Sequence, residues 1–344
     1  MSSNSITISQ QPLVSVLTPV YNGERYLAEC IESVLAQTYQ NWEYIIVNNC
    51  STDRTLAIAA EYARRDSRIR IVTNSEFVSA PRNHNLALAM ISPLSKYCKF
   101  VQADDLIFPT CLAEMVEVAE AHPSVGLVNS YQIRGRRVWC DGLPYPSTVI
   151  PGRDYCRRFF LDGGAVEGSI SGFLLRADLV RCRNPFLNEK YLFNDTELFF
   201  SILQDHDLGF VHQVLSLWRI HDEALSSFAQ RHDQWEFAVV YFTKIYGPIY
   251  LTPEEFQQCW EKSLRKYYRH LGHRLLQLRE RAYWEYHRKM MEELGVGFSR
   301  LRLLEGVIDE VAGRIFEPIK ATGRMLGSIR TNRSRIGSRV ERRA

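Results

Sequence analysis

Leu13-Val14-Ser15-Val16-Leu17-Thr18 is a short apolar run that Pro19 closes, and the residues on either side of it decide the fold. Leu27, Cys30, Ile31, Val34 and Leu35 follow at helical spacing, with Asn22 in position to cap the helix. Tyr44-Ile45-Ile46-Val47 is then a second apolar strand, so the opening is a strand-helix-strand unit. The alternation continues. Ser51-Thr52-Asp53 opens a helix to about Arg64, Ile69 to Thr73 is a third strand, and Leu86 to Met90 sits in a helix. Phe100-Val101 is a fourth strand, Pro109 opens another helix through Ala121, and Val125 to Asn129 returns to the sheet. Continuous apolar strands alternating with amphipathic helices give a doubly wound α/β sheet. Such sheets bind ligands beyond the carboxyl ends of their strands, where Tyr21, Asn48, Asn49, Asp104 and Asp105 fall.

Further along, Pro144 to Gly172 is rich in Gly and Pro and reads as loops over the sheet edge. A helix from about Asp195 to Gln204 and strand character from Phe210 to Trp218 complete this half. Beyond about Arg231 the pattern is helical: Trp235 to Tyr246, Pro253 to Leu278, Glu280 to Leu294, and a weaker stretch to about Ile329. The expected organisation is a disordered 1–11, a sheet domain over 12–230, a helical region over 231–329 and a basic tail over 330–344.

The chain has 344 residues, 46% hydrophobic and 24% charged, a soluble globular composition. Its net charge of +3 hides an asymmetry. From Ala312 to Ala344 nine Lys and Arg oppose Glu317 and Glu341, leaving everything before them acidic. No run approaches the ~20 apolar residues of a membrane span, and the N-terminus has no secretory pattern. The eight cysteines show no C-x-x-C spacing, which suits a reducing, cytoplasmic setting.

Asp104-Asp105 end the apolar run from Tyr97, and delivering two carboxylates to a buried strand edge is costly unless something neutralises them. A divalent cation bridging a ligand's phosphates would do so, and hard oxygen ligands suit Mg²⁺ or Mn²⁺. Taken alone, an Asp pair is more often the end of a strand and the start of a turn or helix cap, here before Pro109.

Four segments in order, Pro12 to Gly23, Leu35 to Tyr39, Ile45 to Asp53 and Lys99 to Asp105, resemble the family 2 glycosyltransferases. The resemblance runs from about Pro12 to Leu225. It implies a GT-A fold, a doubly wound mixed sheet, here with a C-terminal helical extension. It also implies inverting transfer of a sugar from a nucleotide-diphosphate donor to a hydroxyl of a glycan or lipid-linked acceptor, with Mg²⁺ or Mn²⁺. By the family pattern, Thr18, Pro19 and Tyr21 cradle base and ribose. Asn48 and Asn49 stand where an Asp usually contacts the base, and Arg82 reaches base or phosphates. Asp53 matches a third acidic position while also suiting a helix N-cap.

The same pattern gives Asp105 to the metal and Asp104 to the ribose or a metal-bound water. It makes Asp195 the base, with Glu197 as fallback, because Asn194-Asp195-Thr196-Glu197-Leu198 resembles the family's Glu-Asp-x-Glu-Leu segment. Trp218-Arg219-Ile220-His221 resembles its Arg-x-His segment, making His221 a metal ligand and Arg219 a phosphate partner. The Gly168 to Gly172 loop is expected to shape the acceptor pocket, and His84 to be structural. The competing class is a nucleotide-sugar-binding or partner subunit that kept the fold without the chemistry. The basic tail reads either as contact with an anionic membrane, on the inner face of the plasma membrane, or as a disordered, solvated segment; no basic face for nucleic acid is legible.

Overall fold

The computed structural model describes residues 11–140, 142–163, 168–222, 224–277 and 279–312. Its contacts divide the chain into two units. One comprises Met1–Arg231 with Tyr246–Glu255, the other His232–Ile245 with Phe256–Ala344. The sequence places a single boundary near Arg231, and the return of Tyr246–Glu255 to the first unit is not legible there. The expected disordered start up to residue 10, the end of the helical region over 313–329 and the basic tail over 330–344 lie outside the described residues.

In the first unit the elements run β1 (Val14–Val20), α1 (Leu27–Leu35), β2 (Trp42–Asn48), α2 (Thr55–Arg65), β3 (Ile69–Thr73) and α3 (Ala80–Leu88). Next come β4 (Tyr97–Phe100), β5 (Leu106–Ile107), α4 (Cys111–Ala121), β6 (Val125–Arg134), β7 (Arg137–Trp139), β8 (Val149–Ile150) and α5 (Gly152–Asp162). They are followed by β9 (Leu174–Arg176), α6 (Ala177–Arg181), α7 (Asn194–Leu203), β10 (Asp207–Trp218) and α8 (Leu225–Arg231). One mixed sheet results, ordered β3-β2-β1-β4-β9-β6-β10-β5, with β7 on β6 and β8 on β10. β3, β2, β1 and β4 are parallel, β9 is antiparallel to both neighbours, and β6 and β10 are parallel to each other.

The parallel half is the expected wound sheet. Val14 to Val20 is buried at every position, as a strand covered on both faces requires. Cys30, Cys98 and Cys111 sit in this core as small hydrophobes. The insertion of β9 between β4 and β6 has no counterpart in the sequence pattern, because three residues carry no readable periodicity.

Lys99, in the middle of β4, is wholly buried. Its Nζ donates to Ser171 O at 2.6 Å and Phe173 O at 3.2 Å, and burial pushes its pKa down. The segment that reads as free loop in sequence is thereby tied to the sheet. Gly168 is confined by the same packing: a Cβ there would stand 1.6 Å from Oε1 of Gln132, whose amide brackets Ser169.

The second unit contains the first part of α9 (Gln234–Tyr250), most of α10 (Pro253–Leu276), α11 (Arg281–Glu293) and a last helix over 300–312. Its polar hub is the buried Asp233. Arg274 holds both carboxylate oxygens at 2.7 Å, Tyr283 Oη donates at 2.8 Å and His270 Nε2 lies at 3.1 Å. Burial alone would raise the pKa of Asp233, but hydrogen bonds from His270, Arg274 and Tyr283 hold it well below the carboxylate range. Removing one partner of such a pair strands the others, so Asp233→Ala is expected to destabilise this unit by about 3–5 kcal/mol. Urea unfolding followed by the fluorescence of this unit's tryptophans, with a change under about 1 kcal/mol counting against the hub, checks it.

Candidate active site

The loop after β1 carries Tyr21, Asn22 and Gly23 onto the carboxyl edge of the sheet. Asn22 takes a left-handed backbone, φ 50°, which Asn tolerates better than most residues. It does not cap α1, which starts at Leu27. Instead its Oδ1 accepts from Thr52 N at 2.9 Å and its own N–H donates to Ser51 Oγ at 3.0 Å. Asp53 completes this clamp, accepting from Thr55 N at the start of α2 and from Glu24 N, both at 2.9 Å. Burial works against its charge, but hydrogen bonds from Thr55 and Glu24 hold its pKa below the usual range.

A cavity of about 440 Å³ opens at this edge, lined by Pro19, Tyr21, Asn49, Asp104, Asp195 and His221 among others. Tyr21, Tyr26, Phe77 and Trp218 are its aromatic side chains; Tyr21 and Phe77 meet edge to face with ring centroids 4.8 Å apart, and are 49% and 61% exposed. Phe77 is invisible to sequence reasoning, since it lies between β3 and α3 in no periodic pattern. Asn49 positions it. The Asn49 side chain donates to Val78 O at 2.8 Å and accepts from Val78 N at 3.0 Å.

Several expected nucleotide contacts are spent on scaffolding. Thr18 is fully buried, its Oγ1 bonded to Val101 O at 2.6 Å and Tyr44 Oη at 2.8 Å, and it does not line the cavity. Asn48 accepts from Ser51 N at 3.1 Å and lies outside the lining, as does the exposed Arg82. Asn83, beside it, does line the cavity and also braces Asn74. His84, expected to be structural, lines the cavity as well, with Nδ1 on Ala80 O and Nε2 against the Gln102 amide, both at 2.6 Å; burial lowers its pKa.

Asp104 and Asp105 both line the cavity, but their side chains have different partners. Asp105 is 1% exposed: its Oδ2 accepts from Ser171 and Ser169 hydroxyls at 2.6 and 2.9 Å, and its Oδ1 from Arg219 N at 3.1 Å. Burial and the neighbouring Asp104 charge push Asp105 up to about 7. Asp104, by contrast, places Oδ2 2.9 Å from His221 Nε2. Arg219 does not line the cavity. Its guanidinium donates to Asp104 O and Glu29, both at 2.9 Å, and stacks 4.5 Å over Tyr26, fixing the turn.

Asp195 opens α7, and its Oδ1 accepts from Thr196 N at 2.8 Å. Burial pushes its pKa up to about 6, which makes it a stronger base than an exposed carboxylate. Glu197 lies outside the lining and meets Tyr246 Oη at 3.3 Å. Among the described residues no group of three or more His, Cys, Asp or Glu side chains is arranged to hold a metal. Asp104 and His221 nonetheless fit a cation completed by a ligand's phosphates and water, the usual manner for Mg²⁺. His221 Nε2, which faces Asp104, is the ring nitrogen that such a cation would use; the buried Nδ1 makes no hydrogen bond.

The sequence profile of Glycosyl transferase family 2 matches residues 15–180, which carry the wound sheet, the clamp and the Asp pair. Residues 15–180 are a family 2 glycosyltransferase domain. EpsE of Bacillus subtilis is 34% identical over 172 residues, 47% of this chain, and the chain spans 60% of its length. Among solved structures, residues 1–349 of Staphylococcus aureus TarS in complex with UDP-GlcNAc align with a TM-score of 0.62 at 16% identity, over 90% of this chain and 92% of that one. The mannosyltransferase PcManGT of Pyrobaculum calidifontis, solved with GDP-Man and Mn²⁺, aligns at 0.54 and 14% identity, over 88% of each chain. At these identities the structures establish the GT-A fold and no more.

Proposed function

We propose that this family 2 glycosyltransferase transfers a sugar with inversion from a nucleotide-diphosphate donor to a glycan or lipid-linked hydroxyl. The observation that carries the reading is that Asp104, His221 and Asp195 line one cavity, so that a site for phosphate-bound cation and a candidate base share a single chamber. The Tyr21–Phe77 pair offers faces for a base, with Pro19 and Asn49 beside them. Asp104 and His221 would hold Mg²⁺ or Mn²⁺, which supplies a Lewis acid to the departing diphosphate. Asp195 removes the acceptor hydroxyl proton as that oxygen attacks the anomeric carbon from the side opposite the diphosphate. One displacement of this kind inverts the configuration.

Donor binding should depend on the aromatic pair. Phe77→Ala is expected to weaken nucleotide-diphosphate binding about tenfold, as loss of one stacking face does. Calorimetric titration with UDP and GDP reads it, and an unchanged affinity removes Phe77 from the donor site. The activity itself is tested by incubating the full chain and Mn²⁺ with UDP-, GDP- and dTDP-sugars. Metal-dependent release of nucleotide diphosphate supports the enzyme; binding without release from every donor favours a partner subunit that kept only recognition.

The protein is further proposed to act on the cytoplasmic face of the membrane as a peripheral protein. Among the described residues no helix is long and apolar enough to cross a bilayer. The net +7 of Ala312 to Ala344 suits attraction to anionic headgroups.

A further inference from the structure

The last helix, 300–312, packs on α10 through glycine. A Cβ on Gly306 would stand 2.2 Å from Tyr268 O, and one on Gly272 would stand 2.6 Å from Gly306 C, so the two backbones touch. Ion pairs flank this crossing: Arg265 to Asp309 at 2.9 Å, Arg269 to Glu310 at 3.2 Å and Arg302 to Glu261 at 3.0 Å. At about 100° per residue, Leu301, Leu304, Ile308 and Val311 fall within one arc opposite Gly306. They are 67, 57, 60 and 39% exposed, an apolar stripe of four large side chains facing away from the protein.

We propose that this stripe docks on an anionic lipid bilayer. The proposal deepens the peripheral-membrane reading above and rests on it. Two observations select lipid as the occupant. Asp309 and Glu310 lie toward α10 and are neutralised there by Arg265 and Arg269, so these acids do not oppose an anionic surface. The chain then continues from the stripe directly into the segment that carries net +7. An amphipathic helix combined with a polybasic segment provides the two signals that stable peripheral anchoring requires. A second copy of the stripe is the poorer match, because helix pairing by such spacing is sustained over about three or four heptads and this one spans fewer than two.

The test is flotation of the full chain with phosphatidylcholine vesicles and with vesicles containing about 30% phosphatidylglycerol, at about 0.15 M and 0.5 M salt. Wild type is expected to float with the anionic vesicles. Leu304→Ser with Ile308→Ser should lower that partition at least about tenfold, since each lost side chain removes several buried methylene equivalents. UDP and GDP affinity should not change. Leu301→Ser with Val311→Ser repeats the test on separate residues, and Leu304→Ile with Ile308→Leu should restore binding. Wild-type chain that stays with neither vesicle overturns the proposal. Salt-sensitive binding unchanged in both serine variants overturns the stripe while leaving the basic tail's attachment standing. A wild-type dimer by light scattering that the serine variants convert to monomer overturns it too, assigning the face to self-association.

Discussion

Asp195→Asn lowers sugar transfer by about 10²–10⁴-fold while donor affinity stays within about threefold. The amide keeps the shape of the carboxylate and its hydrogen bond from Thr196 N, so α7 starts as before. What it loses is the capacity to take a proton. The wild-type enzyme should show the same group in its pH profile. Asp195 is pushed up to about 6 because burial disfavours its charged form. The active form is the ionised one, so kcat/KM climbs about tenfold per pH unit below that value and levels off above it. A profile flat down to pH ~4.5 would reject the upward shift of Asp195 by burial. Full transfer activity in Asp195→Asn would reject Asp195 as the base.

Asp104→Ala and Asp105→Asn should fail in different ways, and the contrast tests the proposed roles of the pair, reversed from the family pattern. Asp104→Ala removes the carboxylate that reaches His221, and with it one of the two side chains proposed to hold a cation. Metal-stimulated turnover is expected to fall about 10²–10³-fold, as when a group that stabilises developing charge is deleted. Added Mn²⁺ should no longer tighten donor binding. Melting temperature should shift little, because the Asp104 side chain is about one-third exposed. Asp105→Asn instead disturbs a buried hub that accepts from Ser169, Ser171 and Arg219 N. An amide turns one acceptor into a donor facing hydroxyls, so a loss of about 1–3 kcal/mol of stability is expected. Should Asp105→Asn abolish Mn²⁺ binding with an unchanged melting curve, the family pattern holds for the pair and the reversed roles do not.

The wound half of the sheet was legible because each strand is an unbroken apolar run and each helix an amphipathic one. The clamp around Asn22, Ser51, Thr52 and Asp53 was half legible. All four residue types announce turns and caps, but which loop Asn22 closes depends on a neighbouring strand that only folding supplies. Thr18, Asn48 and Arg219 show the opposite failure. A motif match places them at the correct strand ends, yet backbone twist decides whether such a side chain meets ligand or protein, and here Thr18 and Asn48 turn inward. β9 and Phe77 carried no periodic signal at all.

The sequence alone determined the order of strands and helices in the wound half, the carboxyl edge at which the cavity opens, and the family of residues 15–180. These follow from local periodicity and contiguous motifs, which need no knowledge of distant contacts. Tertiary structure alone decided that Asp104 faces His221 while Asp105 is consumed by two serines, and that Phe77 joins Tyr21. It also left the stripe of 300–312 exposed. Each of these outcomes depends on which of two adjacent side chains the fold turns outward, and a difference of one residue along a chain carries no such direction until its neighbours are packed.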